Sequence, residues 1–311
     1  MNILSDPMTL GDRSPERHAL AALAASLAPN HGYNPTRLNG VRILRSEAVL
    51  HDVPVLYKPG AVFVLQGRKQ GMLDGEVYRY DAEHYLAVSV PVPFRMESAA
   101  SPEYPLLAVY VEFDMALAAE IASAVAEAQP GPEIAKARGL VSNRMERDIE
   151  DVVQRLLLAL NDPLETAVLG AAILRELHYR VLVGPQGGAM IAALQQQGTS
   201  GRIVRSLAWL RENYGSGISV AALANEAGMS VPSYHVHFKA LTGSSPIQYV
   251  KAMRLHEARL MIARRDKSIA EVAGAVGYAS AAQFSRDFKR HFQRTASKEA
   301  RWVRQHLGEL S

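Results

Sequence analysis

The 311-residue chain has no cysteine. Disulfides, thiol nucleophiles and thiolate-bound metals are therefore excluded together. It also lacks an apolar run of about 18 residues, so no membrane span is expected. The opening MNILSDPMTLGDRSPERHAL mixes acidic and basic side chains and has no apolar stretch of the kind a signal peptide needs. A cytoplasmic protein is the expectation. Two catalytic signatures are missing as well: the GxxxxGK loop closed by Ser or Thr, and the GxSxG elbow of a nucleophilic serine. His31, His51, His84 and His178 stand singly, and Glu47, Glu76 and Glu83 are not spaced as their partners. An oxygen-reactive metal site needs two imidazoles and a carboxylate converging, so no metal, no cofactor and no enzyme activity is expected.

The charge that is present is unevenly placed. The net charge of +3 hides 17 basic against 8 acidic side chains in residues 201–311, a net of +9. Residues 1–200 hold 17 basic and 23 acidic side chains, a net of −6. A basic segment on an acidic body is the footprint of a polyanion binder, or else a fluctuation of surface charge. Pattern has to decide between them.

Ser14–Leu27 is rich in Ala and Leu and reads as a helix. From Arg42 to Val111 the chain changes to short β-branched and aromatic runs separated by Pro59-Gly60, Asp74-Gly75 and Pro91-Val92-Pro93. Asp74-Gly75 between QGML and EVYRY is a hairpin signal. Several short strands at close spacing point to a small barrel or a double-sheet jelly roll. After Asp114 the strand pattern stops and three helices are expected: MALAAEIASAVAEAQ, Met145–Leu160 and Pro163–Val183. In the last, Leu164, Val168, Ala171, Leu174, Leu177 and Val181 recur at three- and four-residue steps. That stripe serves either packing on the body or a dimer face. GPQGG and QQQGTSG place a domain boundary near Ala192 to Thr199, with residues 1–192 and 199–311 on either side. The fold class expected is α+β, a β-barrel with appended helices followed by an all-α domain.

The basic domain repeats itself. ISVAALANEAGMSVPSYHVHFK (residues 218–239) aligns with SIAEVAGAVGYASAAQFSRDFK (residues 268–289). Ala221 matches Ala270, Leu223 matches Val272, Ala224 matches Ala273 and Gly228 matches Gly277. After one inserted residue Ser230 matches Ser280, and Phe238-Lys239 matches Phe288-Lys289. Each copy reads as helix, tight turn, helix. The glycine supplies a left-handed turn, the serine caps the second helix, and Pro232 sits in a first turn where a missing N–H does no harm. Small alanines let the two helices approach. Such a helix-turn-helix can lay its second helix in a major groove. Between the copies, residues 247–264 run without Gly or Pro, a rod of about 27 Å that can space two such helices about one DNA turn apart. Tyr234, Phe238, Phe284 and Phe288 are expected core anchors.

ALANEAGMS, YHVHFKALTGSSPIQYV, RLHEARLMI, IAEVAGAVGYAS and QFSRDFKRHF together resemble the DNA-binding domain of the AraC/XylS family of bacterial transcription regulators. LYKPGAVFVLQGRK, YLAVSVPVPF and LHYRVLVGPQGG resemble that family's N-terminal sensing arm, which implies a cupin-like barrel followed by helices. The resemblance implies a sequence-specific regulator of transcription, an activator in many relatives. It implies double-stranded DNA and a small-molecule effector as partners, with RNA polymerase and a second copy of the chain, docked through the N-terminal helices, as further ones. Its base-facing positions fall on Pro232, His235 and Val236 in the first recognition helix and on Ala282, Ser285 and Arg286 in the second. Ser230, Ser233, Lys239, Ser280, Gln283, Lys289 and Arg290 complete the candidate DNA-binding set. Relatives commonly carry Arg where this chain has Val236, which offers apolar contact to a thymine methyl and no hydrogen bond. Arg286 keeps a guanidinium able to grip guanine in two places, or else it binds phosphate or pairs with Asp287. Lys239, Lys289, Arg290 and Arg294 are either phosphate contacts or solvated charge. In the second copy Gln293 and Ala296 stand for Gly243 and Pro246, so a blunter turn is expected before the tail TASKEARWVRQHL.

Tyr57, Phe63, Tyr78, Tyr80, Met96 and Tyr110 are candidates to line an effector pocket inside the barrel, or simply to fill it. His235 and His237 form the one HxH. Two residues apart on a helix they point about 200° from each other and cannot chelate one ion. His235 is expected to face the groove and His237 a neighbouring helix or the surface. The alternative to a regulator is a cupin-like small-molecule-binding protein or enzyme with a secondary DNA-binding role.

Overall fold

The computed structural model describes residues 15–128, 138–185, 187, 190–191, 198–264 and 267–310. The boundary expected at 192–199 lies mostly outside the described residues. Helix α1 (Pro15–Leu27) precedes nine strands: β1 (Gly32–Pro35), β2 (Val41–Ser46), β3 (Leu50–Tyr57), β4 (Gly60–Gln66), β5 (Arg68–Leu73), β6 (Glu76–Asp81), β7 (His84–Val88), β8 (Val92–Ala99) and β9 (Leu106–Glu112). Helix α2 (Met115–Ala128), strand β10 (Leu140–Arg144) and helices α3 (Arg147–Asn161) and α4 (Pro163–Val183) follow. Strand β10 corrects the expectation that strands end at Asp114. It pairs antiparallel with β7, Leu140 opposite Val88, and its five residues are too short and polar to stand out in the sequence.

All pairings are antiparallel, in the order β1-β2-β9-β4-β7-β6-β5-β8-β3, with β10 beside β7. No ladder joins β1 to β3 among the described residues, so the sheet is a curved half-barrel rather than a closed barrel. Strand β4 shows how its two faces divide. Ala61, Phe63 and Leu65 point to one core, shared with α1–α4. Val62 and Val64 point to the other, inside the curve with Leu44, Val55, Phe94 and Met96. A strand buried on both faces must be apolar at every step, as GAVFVL is before the half-buried Gln66.

The Asp74-Gly75 hairpin forms as expected, with Leu73 opposite Glu76. Both turn residues have positive φ, 49° and 84°, the type I′ geometry that matches the twist of the flanking strands. The stripe on α4 splits. Leu177 and Val181 are buried against the sheet domain, whereas Leu164 and Val168 are 73% and 68% exposed.

The helical region holds α5 (Gly198–Asn213), α6 (Val220–Glu226), α7 (Val231–Thr242), α8 (Pro246–Arg264), α9 (Ile269–Ala275), α10 (Ala281–Phe292) and α11 (Ala296–Leu310). The rod between the repeats is therefore one helix, α8. Pairs α6–α7 and α9–α10 are the two helix-turn-helix units, bent at Gly228 (φ 60°) and Gly277 (φ 83°). Serine caps open all four helices: Ser219, Ser230, Ser268 and Ser280 each accept from a backbone N–H in the first turn. Helix α7 ends at Gly243 with φ 67°. Helix α10 ends just as sharply, because Gln293 takes the left-handed conformation at φ 57° without being glycine. Thr295 Oγ1 then accepts from Lys298 N–H at the start of α11. The blunter turn expected from Gln293 and Ala296 is thus corrected: a strained residue and a threonine cap replace the usual glycine and proline.

Candidate nucleic-acid interface

Each recognition helix is held by two aromatic rings on its inner side. Tyr234 and Phe238 in α7, and Phe284 and Phe288 in α10, are fully buried. Their rings lie 5.3 Å apart in both helices. With that face fixed, the opposite face must look outward. Pro232, His235, Val236 and Lys239 are exposed on α7, and Ala282, Gln283, Ser285, Arg286, Lys289 and Arg290 are exposed on α10. Ser233 is half-buried, its N–H donating to the Ser230 hydroxyl. His237 also reaches the surface, although its counterpart Asp287 is buried.

The two outward faces differ in chemistry and in what stands over them. On α10, Arg286 is exposed. Asp287, named as an alternative partner for it, is taken by Arg290 and by the Tyr278 hydroxyl. Arg290 is therefore anchored while Arg286 projects. On α7, Val236 is 67% exposed with no polar atom to offer. Lys239 is held by Asp74 of the β5–β6 hairpin at 3.1 Å. A groove of about 650 Å³ runs between that hairpin and α7, lined by His235, Val236, Lys239, Asp74, Glu76 and Tyr78 among others.

The helical region also closes the mouth of the half-barrel. A cavity of about 340 Å³ lies between them. Tyr33, Arg42, Tyr57, Lys58 and Tyr110 line it from the sheet side, and Arg211, Met253, His256 and Arg259 from the helices. The Arg42 guanidinium lies 4.8 Å from the ring centres of both Tyr33 and Tyr110. Burial pushes the Tyr57 phenol up to about 12 and Tyr110 further, so both stay neutral hydrogen-bonding groups. Arg42, Lys58, Arg211, Arg259 and Glu257 are the charged side chains of this lining, and just behind it Glu112 pairs with Lys58 at 3.6 Å and Glu299 with Arg259 at 2.7 Å.

Of the six pocket candidates named from sequence, Tyr57 and Tyr110 reach this cavity. Met96 and Tyr80 are buried in the core inside the curve, and the Lys69 ammonium lies over the Tyr80 ring at 5.6 Å. Tyr78 lines the groove beside α7. Phe63 packs among the helices on the other face of the sheet and cannot line the interior. Sequence reasoning missed Arg42, Arg211, His256 and Arg259, because the cavity is assembled from segments far apart in the chain.

Comparison with known proteins agrees with this layout. Residues 37–189 match the model of the AraC-type transcriptional regulator N-terminus, and residues 223–301 match a helix-turn-helix domain. The HTH-type transcriptional activator RhaS of Escherichia fergusonii is 30% identical over 96 residues, which are 31% of this chain and 34% of that protein. RhaS of Pectobacterium atrosepticum is 33% identical over 86 residues, 28% of this chain and 31% of that protein. The chain thus spans about a third of the length of the curated relatives it matches. Among solved structures, unsaturated-fatty-acid-bound ToxT of Vibrio cholerae superposes with a TM-score of 0.57 at 12% identity, over 87% of this chain and 97% of that one. ToxT bound to (E)-4-(8-methylnaphthalen-1-yl)but-3-enoic acid gives a TM-score of 0.54 at 12% identity, over 85% and 98%. At such identity the likeness is one of fold.

Proposed function

The chain belongs to the AraC/XylS family of transcriptional regulators, and from that premise we propose that it is a DNA-binding activator whose helical region reads a promoter under control of a small acidic effector. In this reading residues 1–192 sense and dimerise, and residues 199–311 bind duplex DNA in the cytoplasm and contact RNA polymerase. No catalytic role is assigned.

The single observation that carries the DNA-binding reading is the pair of capped helix-turn-helix units, each presenting one solvent-facing helix from a basic domain. Arg286, with Ser285 and Gln283 beside it, is the base-reading group, and Lys289 serves the phosphates, joined by Arg290 where a phosphate draws it from Asp287. The cavity between sheet and helices supports the effector reading. The Arg42 and Arg211 guanidinium groups in its lining suit a carboxylate, and Val55, Leu56, Met253 and the tyrosine rings suit an apolar or aromatic body. An effector there touches both units at once, so it acts if it fits one arrangement of them better than another. Leu158, Leu164, Val168 and Leu169 form the exposed apolar face on α3 and α4 that a second copy would cover.

Capture of genomic DNA on the full chain, followed by footprinting, tests the central reading. One short motif should be protected, with affinity falling steeply as salt rises. Capture of no specific sequence would refute it. On the same duplex, saturating amounts of a long-chain fatty acid and of an aromatic carboxylate should each be tried, and at least one should shift the affinity. Val168→Glu should turn a dimer into a monomer in a light-scattering measurement.

A further inference from the structure

The first recognition helix does not stand free. Three contacts tie its C-terminal half to the sheet domain. Leu73, the last residue of β5, packs over Gly243, whose added Cβ would meet the Leu73 side chain at 2.6 Å. The Gly139 N–H donates to the Leu241 carbonyl at 2.8 Å. At the hairpin tip, the Asp74 carboxylate sits 3.1 Å from the Lys239 ammonium. The second carboxylate of that hairpin, Glu76, faces the same groove and lies 3.4 Å from Arg138.

The groove that remains in front of His235, Val236 and Lys239 is about 650 Å³, the volume of a small-molecule cleft. A duplex does not fit in it. The chemistry of the tip matters as much as its bulk. Lys239 is placed where a recognition helix meets a phosphate, and it is already neutralised by a carboxylate. An incoming phosphate must displace that carboxylate and approach a second one. The corresponding lysine of the other unit, Lys289, is exposed and forms no ion pair among the described residues.

We infer that the β5–β6 hairpin is a built-in competitor for DNA at the first helix-turn-helix unit, its Asp74 carboxylate standing in for a phosphate at Lys239, with Glu76 adding negative charge beside it, until the hairpin is withdrawn. This rests on the DNA-binding reading above. It makes the chain in this arrangement a reader through one unit, the second, and gives the sheet domain a direct hand on the first. Asp74 and Lys239 are each about half exposed, so the ion pair is weak enough to exchange with a polyanion. The docked hairpin lowers affinity without abolishing it.

The test uses the full chain and a mixed-sequence DNA duplex at fixed salt, which reports phosphate contacts and needs no known operator. Asp74→Asn combined with Glu76→Gln should bind at least threefold more tightly than the unmodified chain. Glu103→Gln combined with Glu165→Gln makes the same change of net charge elsewhere on the sheet domain and should change affinity less than twofold. A second measurement exploits the absence of cysteine. Asp74→Cys with Lys239→Cys, joined by a reductant-cleavable bismaleimide, should bind more weakly when bridged and recover when the bridge is cut. Equal affinity of the two carboxamide pairs, together with no effect of the bridge, would overturn the inference while leaving DNA binding intact. Failure of every form to bind duplex would overturn the DNA-binding reading and this inference with it.

Discussion

The first helix-turn-helix unit shares its hydrophobic core with the sheet domain, whereas the second keeps a core of its own. Val90 and Val92, next to and within β8, are buried with Leu223, Tyr234, Phe238 and Tyr249 of the first unit. The Tyr249 hydroxyl donates to the Pro91 carbonyl at 2.7 Å. The second unit packs Leu255, Val272, Phe284, Phe288 and Phe292 together with no strand residue among them. On its side the sheet is met by Trp302, which packs against the core inside the curve, and by several polar groups. Arg95 reaches the His291 carbonyl and also pairs with Asp52, and Arg259 donates to the Pro54 carbonyl at 3.2 Å. Apolar seams hold by area and have no switch in them. Polar seams depend on charge, and charge responds to pH, salt and ligand. The first unit is therefore anchored through its core, with the half-exposed Lys239–Asp74 pair at the hairpin tip as its exchangeable contact, and the second is the half whose seam is chiefly polar.

The largest expected effect lies at the charged seam. Arg259 and Glu299 are 5% and 1% exposed with 2.7 Å between them, a buried ion pair. Arg259 also lies over Phe292 and Trp302, and Arg294 over Trp302. Glu299→Gln leaves a buried guanidinium without its counter-charge and should lower unfolding stability by about 3–5 kcal/mol in a denaturant titration. A loss of under 1 kcal/mol would show that this pair, which holds Arg259 in place beside the Pro54 carbonyl, is not cohesive.

Acid should act on the same side of the comparison. His256 and His291 meet with their Nε2 atoms 3.5 Å apart. Burial lowers both, and the neighbouring charges of Arg259 and Arg95 lower them further; His291 falls to about 4 and His256 goes well below the usual value. Asp52 pairs with Arg95 and Glu299 with Arg259, so the carboxylates nearby are already engaged. A base whose folded-state value is depressed stays neutral in the fold while the unfolded chain takes up protons. Stability is complete above pH 6.5 and is lost as the pH falls from 6.5 towards 4. Replacing both histidines by glutamine should flatten that window in a pH series of thermal melts.

How much of this was legible in the sequence divides along the same line. The second unit and its partner were readable, because a repeat of fixed spacing with Gly228 and Gly277, Ser230 and Ser280 is local information. The type I′ hairpin at Asp74-Gly75 was readable for the same reason. The groove under that hairpin, the cavity lined by Arg42 and Arg259, and the side of β4 that Phe63 occupies were not. Each depends on which segment lies opposite, and no local pattern carries that. The C-terminal turn was misjudged because Gln293 adopts a conformation that sequence rules assign to glycine.

That turn supplies the smallest effect. Gln293→Gly relieves about 1–2 kcal/mol of left-handed strain and costs about 0.5–1 kcal/mol of chain entropy, a net gain near 0.5 kcal/mol. The mirror substitution Gly243→Gln should destabilise by clearly more than that gain, because Leu73 closes over the site. Equal and opposite changes would mean that the hairpin does not rest on the first unit.

The most direct measurement compares one side chain from each recognition helix on the duplex found by genomic capture. Arg286→Ala should weaken binding by about 1–3 kcal/mol and relax one base position, whereas Val236→Ala should stay within about twofold, having no hydrogen bond to lose. The reverse order, with Val236→Ala the costly change and Arg286→Ala silent, would contradict a chain that reads DNA chiefly through its second unit.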